Sequence, residues 1–312
     1  MALCLVTGGA GFIGSHLVAA LVQGGHQVRV LDDLCTGKRE NLAPVGGKIE
    51  FVQGSAADRV VVEQAMRGVE LVFHQAALAS VPLSIDNPLA THTACVTATV
   101  TLLDAARRAG VKRFVYAASS SAYGNTPWSA KRENDLPQPL SPYAAAKLAA
   151  EHYCAAFYSS FGLETVCIRY FNVFGPRQDP NGPYAAVIPR FLARMLAGER
   201  PVIYGDGRQS RDFTYVRNVV QGNLLAATVA GVGGRTYNVA MGRSYSLLDL
   251  VAALNQILGT HFEPIFEPAR VGDVRDSLAD ISAAERELGY KPEIDFGTGL
   301  AQTVAAMRAA LA

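Results

Sequence analysis

Residues 3–23, LCLVTGGAGFIGSHLVAALVQ, constrain the fold more than any other stretch. Leu3–Thr7 reads as a buried strand, Gly8–Gly11 as a turn and Phe12–Gln23 as a helix. Gly8, Gly11 and Gly14 follow a G-x-x-G-x-x-G spacing across that turn. Glycine there allows a tight turn, close approach of a diphosphate, and close helix–strand packing. The helix N-terminus, with Phe12 and Ile13 in its first turn, offers free N–H groups and a positive dipole. A glycine-rich turn alone is ambiguous, and a partner decides. The next apolar run ends LDD, which puts Asp32 18 residues after Gly14. A carboxylate there accepts both hydroxyls of an adenosine ribose and repels a 2′-phosphate. The expected cofactor is therefore NAD rather than NADP.

The rest of the first half repeats the pattern. Strands are expected at Gln27–Leu31, Ile49–Gln53, Leu71–His74, Arg113–Ala117 and Thr165–Tyr170. Helices are expected at Val60–Met66, Pro88–Ala109 and Pro142–Phe161. Such alternation predicts an α/β fold, a Rossmann-type doubly wound parallel sheet with helices on both faces. VKRFVYAASS is a continuous apolar run, as a buried parallel strand should be. After residue 171 the texture changes. NVFGPRQDPNGPY is loop-like, and a helix follows at Ile188–Ala197. PVIYGDGRQSRDFTYV reads as two short strands around a GDG turn, Val216–Ala227 as a helix and Thr236–Val239 as a strand. Leu247–Leu258 and Leu300–Ala310 are further helices. The expected division is 1–171 plus 213–241 for a cofactor domain, and 172–212 plus 242–312 for a smaller C-terminal α/β substrate lobe.

Composition excludes several classes. The 312 residues can bury a full core without staples. Twenty-eight basic against 27 acidic residues give a formal charge of +1, without a basic block, so no nucleic-acid partner is expected. The five cysteines are spread without CxxC or Cys/His metal spacing, so no metal is expected and the thiols read as free. MALCLVT lacks the charged start of a signal peptide, and no run of 18 apolar residues exists. A cytoplasmic protein without a membrane partner is expected.

SPYAAAK, residues 141–147, places Tyr143 and Lys147 on one helix face at i and i+4. Alone this pair is as compatible with an ordinary amphipathic helix. It occurs, however, in order with TGGAGFIG, Asp32, HQAA at 74–77, SSSAYG at 119–124, RYFNVFGP at 169–176 and SRDFTYV at 210–216. The ordered set, running over essentially the whole chain, resembles the extended short-chain dehydrogenase/reductase family, the nucleotide-sugar epimerases and dehydratases.

The resemblance implies roles. Tyr143 is the catalytic base, Lys147 lowers its pKa with help from the nicotinamide charge and binds the nicotinamide ribose, and Ser119 hydrogen-bonds the reacting sugar oxygen. Ser55, Ala56, Gln75, Ala76, Ala77 and Phe171 join the glycine loop and Asp32 as cofactor contacts. Dehydratases of the family carry Asp-Glu directly after the Ser/Thr, and decarboxylases carry a glutamate there. Here those positions are Ser120 and Ser121, which cannot do that acid–base work and which could share in holding the sugar. What remains is reversible oxidation at C4, hence 4-epimerisation with NAD retained and regenerated at each turnover. Asn172 is implied at the diphosphate side of the sugar, Val187 and Ile188 near a uracil, Arg211 and Arg270 on the UDP diphosphate, and Asp273 on the second ribose.

For the sugar, Ser277 matches a position that is tyrosine in epimerases restricted to UDP-glucose and UDP-galactose, and small in those accepting N-acetylated sugars. HQAALASVPLSIDNP, YGDGRQSRDF and GDVRDSLADIS are most similar to the UDP-N-acetylglucosamine 4-epimerase subgroup of polysaccharide pathways. There Ala79, Ser80, Ser119, Asn172, Ala186 and Ser277 would wall the sugar. Ala79 is larger than the glycine expected, which leaves plain hexoses open. Two positions depart from the family: Ser55 replaces the aspartate of Gly-Asp, with Asp58 three residues on, and Cys95 replaces an asparagine near the nicotinamide. A UDP-glucuronate 4-epimerase and a non-catalytic NAD-binding protein stay as alternatives. Helices 88–109 and 142–161 are expected to form a homodimer, as in related enzymes, although burial within one chain fits their apolar positions equally.

Overall fold

A computed structural model describes residues 1–126, 130–180, 185–269 and 275–311. Its frame is a seven-stranded parallel sheet. In chain order the first six strands are β1 (Leu3–Thr7), β2 (Gln27–Asp32), β3 (Ile49–Gln53), β4 (Leu71–His74), β5 (Arg113–Ser119) and β6 (Thr165–Tyr170). The spatial order is Arg235–Val239, β6, β5, β4, β1, β2, β3. Strand order therefore reverses between β1 and β4, which pair in register from Cys4↔Leu71 to Thr7↔His74. In an open parallel sheet a ligand crevice opens at that switch point, beyond the carboxyl ends of the strands. The Arg235–Val239 strand returns to this sheet, beside β6, after the chain has left for the C-terminal lobe.

Both faces of the sheet are covered, so its central strands are apolar almost throughout; β6 is buried at every position. One polar exception is His74, fully enclosed. Its Nδ1 lies 2.7 Å from Thr7 Oγ1 and its Nε2 2.9 Å from Thr99 Oγ1. Burial pushes its pKa down to about 3, so the ring is neutral and stitches β4 to β1 and to the Ala98–Ala109 helix.

A further core, built largely from residues after β6, packs around aromatic rings. Tyr245 stacks on Phe296 at 4.2 Å between centroids, and Phe213 stacks on the same ring at 5.6 Å. The two strands beside the GDG turn exist but do not pair with each other. Val202–Tyr204 pairs in parallel with Ile265–Glu267. Ser210–Arg211 pairs with Tyr245–Ser246 and with Asp276–Ser277.

The helix expected at 88–109 is interrupted. It runs as Pro88–His92, a π turn at Thr93–Thr97, and Ala98–Ala109. From the helix that follows, Thr99 Oγ1 donates to the Cys95 carbonyl inside the widened turn at 2.5 Å. Hydroxyl-to-carbonyl bonds of this kind loosen the regular ladder, and propensity alone does not foresee them. The last helix begins earlier than expected, at Phe296, because Asp295 receives the Thr298 N–H at 2.8 Å.

Candidate active site

Two adjoining cavities lie along the carboxyl edge of the sheet. The larger, about 800 Å³, is lined by the glycine turn, Asp32, Ser55, Ala56, Gln75, Ala76, Ala77, Tyr143 and Lys147. The smaller, about 460 Å³, is lined by Asn172, Ala186, Val187, Ile188 and Arg211, among others. Ala79, Gln178, Ala185 and Ala186 line both, so the two spaces share a wall.

The glycine turn has the shape its sequence implied. Gly8 has φ +66°, and a Cβ there would stand 2.7 Å from the Ala76 backbone nitrogen. A Cβ on Gly14 would run into the Gly8 carbonyl. Only glycine lets the Phe12–Gln23 helix (α1) close on β1 and β4 in this way. Asp32 is buried at the end of β2. Its carboxylate accepts the Ala10 N–H at 2.9 Å and the Leu34 N–H at 2.8 Å. Burial raises its pKa, while those two N–H groups act the other way. The loop is thus tied to the acid, which keeps acceptor capacity toward the cavity. Ser55 lines the cavity, and its hydroxyl accepts the Ala57 N–H at 3.2 Å. Asp58 instead caps the Arg59–Ala65 helix through Val60 N at 2.8 Å, so it does not substitute for the missing acid.

Tyr143 and Lys147 share one face of the Pro142–Phe161 helix. Ser141 caps it by accepting the Ala144 N–H at 3.1 Å, and Pro142 occupies the first turn. Lys147 is 3% exposed, and its Nζ donates to the Ala117 carbonyl at 2.9 Å, pinning the helix to β5. Burial lowers the lysine pKa. The pKa of the Tyr143 phenol is shifted as well. Burial pushes the phenol up, the neighbouring Cys95 adds to that, and the facing Ser119 hydroxyl opposes it. Cys95 is buried against Tyr143, Ala77 and Ala146, as apolar filler.

Ser119 ends β5. Its Oγ accepts the Ser121 N–H at 3.2 Å and lies 2.8 Å from Ser121 Oγ. It is therefore a cap as well as a candidate sugar contact. Ser119, Ser120 and Ser121 line neither cavity, whereas Ser80 lines the larger one and caps the Val81–Asp86 helix. Asn172 lines the smaller cavity and donates to Ser277 Oγ at 3.3 Å; Ser277 itself lines neither. Arg211 Nη1 donates to the Ser210 and Arg275 carbonyls at 2.8 Å each. Arg270 and Asp273 lie outside the described residues.

Phe171, expected at the cofactor, turns its side chain into the interior. The Phe171 side chain is 0% exposed, packs with Tyr123, Ala240 and Ala279, and lines neither cavity. It follows β6 into the interior, where a tilted contact with Tyr123 holds it at 6.0 Å. Three residues stand out that the sequence reading did not single out. Arg177 and Gln178 follow the NVFGP stretch, and Gln178 lines both cavities. Asp212, fully buried, accepts the N–H groups of Met241 (2.9 Å), Gly242 (3.0 Å) and Ala279 (3.3 Å). Burial raises its pKa to about 6, and those N–H groups hold it back from rising further. It ties three wall segments together. An isolated aspartate in SRDF carries no local signal of that.

The chain belongs to the NAD dependent epimerase/dehydratase family, which matches residues 4–240. It is of the extended short-chain dehydrogenase/reductase type. A UDP-glucose 4-epimerase of Mycolicibacterium smegmatis is 40% identical over 309 residues, 96% of each chain. A UDP-N-acetylglucosamine 4-epimerase of Methanobrevibacter ruminantium, solved with UDP-N-acetylmuramic acid, superposes with a TM-score of 0.95 at 40% identity over 99% of both chains. A UDP-glucose 4-epimerase of Thermus thermophilus solved with NAD gives 0.91 at 37% identity, again over 99% of both. Other relatives are a dTDP-glucose 4,6-dehydratase and a UDP-N-acetyl-alpha-D-glucosaminuronate decarboxylase. The family's cofactor is NAD, and the larger cavity fits it. The cradle at Gly8 and Gly14 would be filled by any Cβ, and Asp32 lines the space with the acceptor chemistry a ribose needs. Among the described residues no helix is long and apolar enough to cross a membrane.

Proposed function

We propose that the chain interconverts UDP-hexoses at C4, with UDP-N-acetylglucosamine and UDP-N-acetylgalactosamine as its main pair and UDP-glucose and UDP-galactose as a second pair. The observation that carries this reading is the shared wall. Tyr143 and Lys147 line the cofactor cavity, and that cavity meets the smaller one at Ala79 and Ala186. A nucleotide seated in the smaller cavity would bring its sugar to the phenol. Ser120 and Ser121 follow Ser119 where dehydration would need an acid and a base.

Bound NAD would supply reversible hydride transfer at the sugar C4. Tyr143 takes the C4 hydroxyl proton and later returns it. Ser119 holds the same oxygen, and Lys147, fixed on Ala117, holds the nicotinamide ribose and supplies positive charge near the phenol. The resulting 4-keto sugar must turn over between the two hydride transfers, so Asn172 and Arg211 grip the nucleotide while the sugar pocket stays loose. In this reading residues 1–171 and 213–241 serve the cofactor and 172–212 and 242–312 the nucleotide sugar. Exposed Leu89, Tyr153, Tyr158 and Phe161 on the two long helical segments support a homodimer.

The preference for an acetylated sugar rests on Ser277 beside Asn172. Ser277→Tyr is expected to lower turnover of UDP-N-acetylglucosamine about 10- to 100-fold, the cost of overfilling a packed site. UDP-glucose turnover should stay within about threefold. Parallel kinetics on the two sugars read this. Equal losses on both would refute the volume argument.

A further inference from the structure

Six charged side chains line the cofactor cavity: Asp32, Asp33, Lys38, Lys147, Arg177 and Asp179. The dinucleotide brings a doubly charged diphosphate, so the distribution of cations matters. Lys38 is paired with Asp179 at 2.9 Å on an exposed rim. Lys147 is committed to the Ala117 carbonyl at the catalytic end. Arg177 differs from both. Its Nη1 donates to Ser15 Oγ at 3.1 Å, and Ser15 Oγ donates to the Phe12 carbonyl at 3.0 Å. Among the described residues Arg177 has no carboxylate partner, and its Nε and Nη2 make no hydrogen bond. A half-buried guanidinium with donors to spare can take an anion without giving up an existing ion pair.

The backbone points the same way. Arg177 has φ +67°, a left-handed conformation that a non-glycine residue adopts only when its surroundings impose it. The preceding residue is fixed from the cofactor domain: His16 Nε2 lies 2.9 Å from the Pro176 carbonyl. Loop and helix α1 are thus joined at Pro176 and at Arg177 itself, and the side chain is delivered to the first turn of α1. That is where the glycine loop presents its N–H groups.

We propose that Arg177 is the counter-charge for the diphosphate of NAD, contributed across the cleft by the loop after Val173–Phe174. It adds the charge that the uncharged glycine turn lacks, and it makes cofactor retention depend on the 175–179 segment. This rests on the family's NAD site and not on the sugar assignment.

The test compares Arg177→Ala and Arg177→Lys with the unaltered protein. NAD carried through purification is measured by absorbance after release. Binding of ADP-ribose and of adenosine is then measured by competition against NAD. Arg177→Ala is expected to weaken NAD and ADP-ribose about 10- to 100-fold and to flatten their salt dependence. Adenosine, which lacks the diphosphate, should be unchanged. Arg177→Lys should fall between the two. Equal weakening of adenosine and ADP-ribose would show a role in loop packing and overturn the proposal, as would unaltered ADP-ribose binding in Arg177→Ala.

Discussion

Tyr143→Phe is expected to cut 4-epimerisation by a factor of about 10³, within the range that a positioned acid–base group contributes. NAD content and thermal stability should stay close to those of the unaltered protein. The phenol stands at the cavity wall with its ring against Cys95 and Ala146, and those contacts survive loss of the hydroxyl. No second group replaces it. Lys147 is held 2.9 Å from the Ala117 carbonyl, and burial of Tyr143 raises its pKa. Positive charge from Lys147 and from bound NAD acts against that rise, which predicts that the proton leaves Tyr143 more readily in the NAD complex than in the free protein. Ultraviolet difference titration with and without NAD, alongside the kinetics, reads both effects. Undiminished turnover in Tyr143→Phe would remove Tyr143 from the base role.

The second large effect concerns the helix that carries this pair. Glu151 and Arg169 form a two-point ion pair, at 2.6 Å and 3.0 Å, with side chains 9% and 3% exposed. Arg169 also donates to the Glu133 carbonyl at 3.3 Å and lies over the Tyr123 ring. The pair bolts the Pro142–Phe161 helix to β6, one turn beyond Lys147. Glu151→Ala leaves the guanidinium buried without its carboxylate and should cost about 3–5 kcal/mol of stability. The double variant Glu151→Met, Arg169→Met removes both charges and should recover most of that loss, because desolvating an ion pair offsets much of its attraction. Urea unfolding of the two variants decides. A double variant as unstable as Glu151→Ala would mean that the charges themselves, rather than the orphaned one, hold the helix.

What the sequence disclosed was governed by short spacing. The seven residues of TGGAGFI constrain their own backbone, and Tyr143 and Lys147 lie one helical turn apart, so their common face follows from geometry alone. The strands themselves were readable for the same reason, although β2 and β5 run on to Asp32 and Ser119, past the expected Leu31 and Ala117. What stayed hidden depends on partners distant in the chain. Phe171 could not be assigned to the interior without knowing that Tyr123, Ala240 and Ala279 close over it. Lys147 finds its carbonyl 30 residues earlier, and Arg177 finds Ser15 162 residues earlier. The π turn at Thr93–Thr97 holds no Gly or Pro to announce a break, and the widening accompanies a side-chain bond to the backbone. The capping role of Asp58 emerges only once Arg59–Ala65 forms.

The proposed 4-epimerisation needs no added cofactor when NAD stays bound between turnovers. Proton NMR of the purified protein with UDP-N-acetylglucosamine, and separately with UDP-glucose, tests it with no cofactor added. The anomeric signal of UDP-N-acetylgalactosamine should grow to equilibrium without any net oxidation or reduction. If neither sugar yields its 4-epimer, even after NAD is added, the account is contradicted.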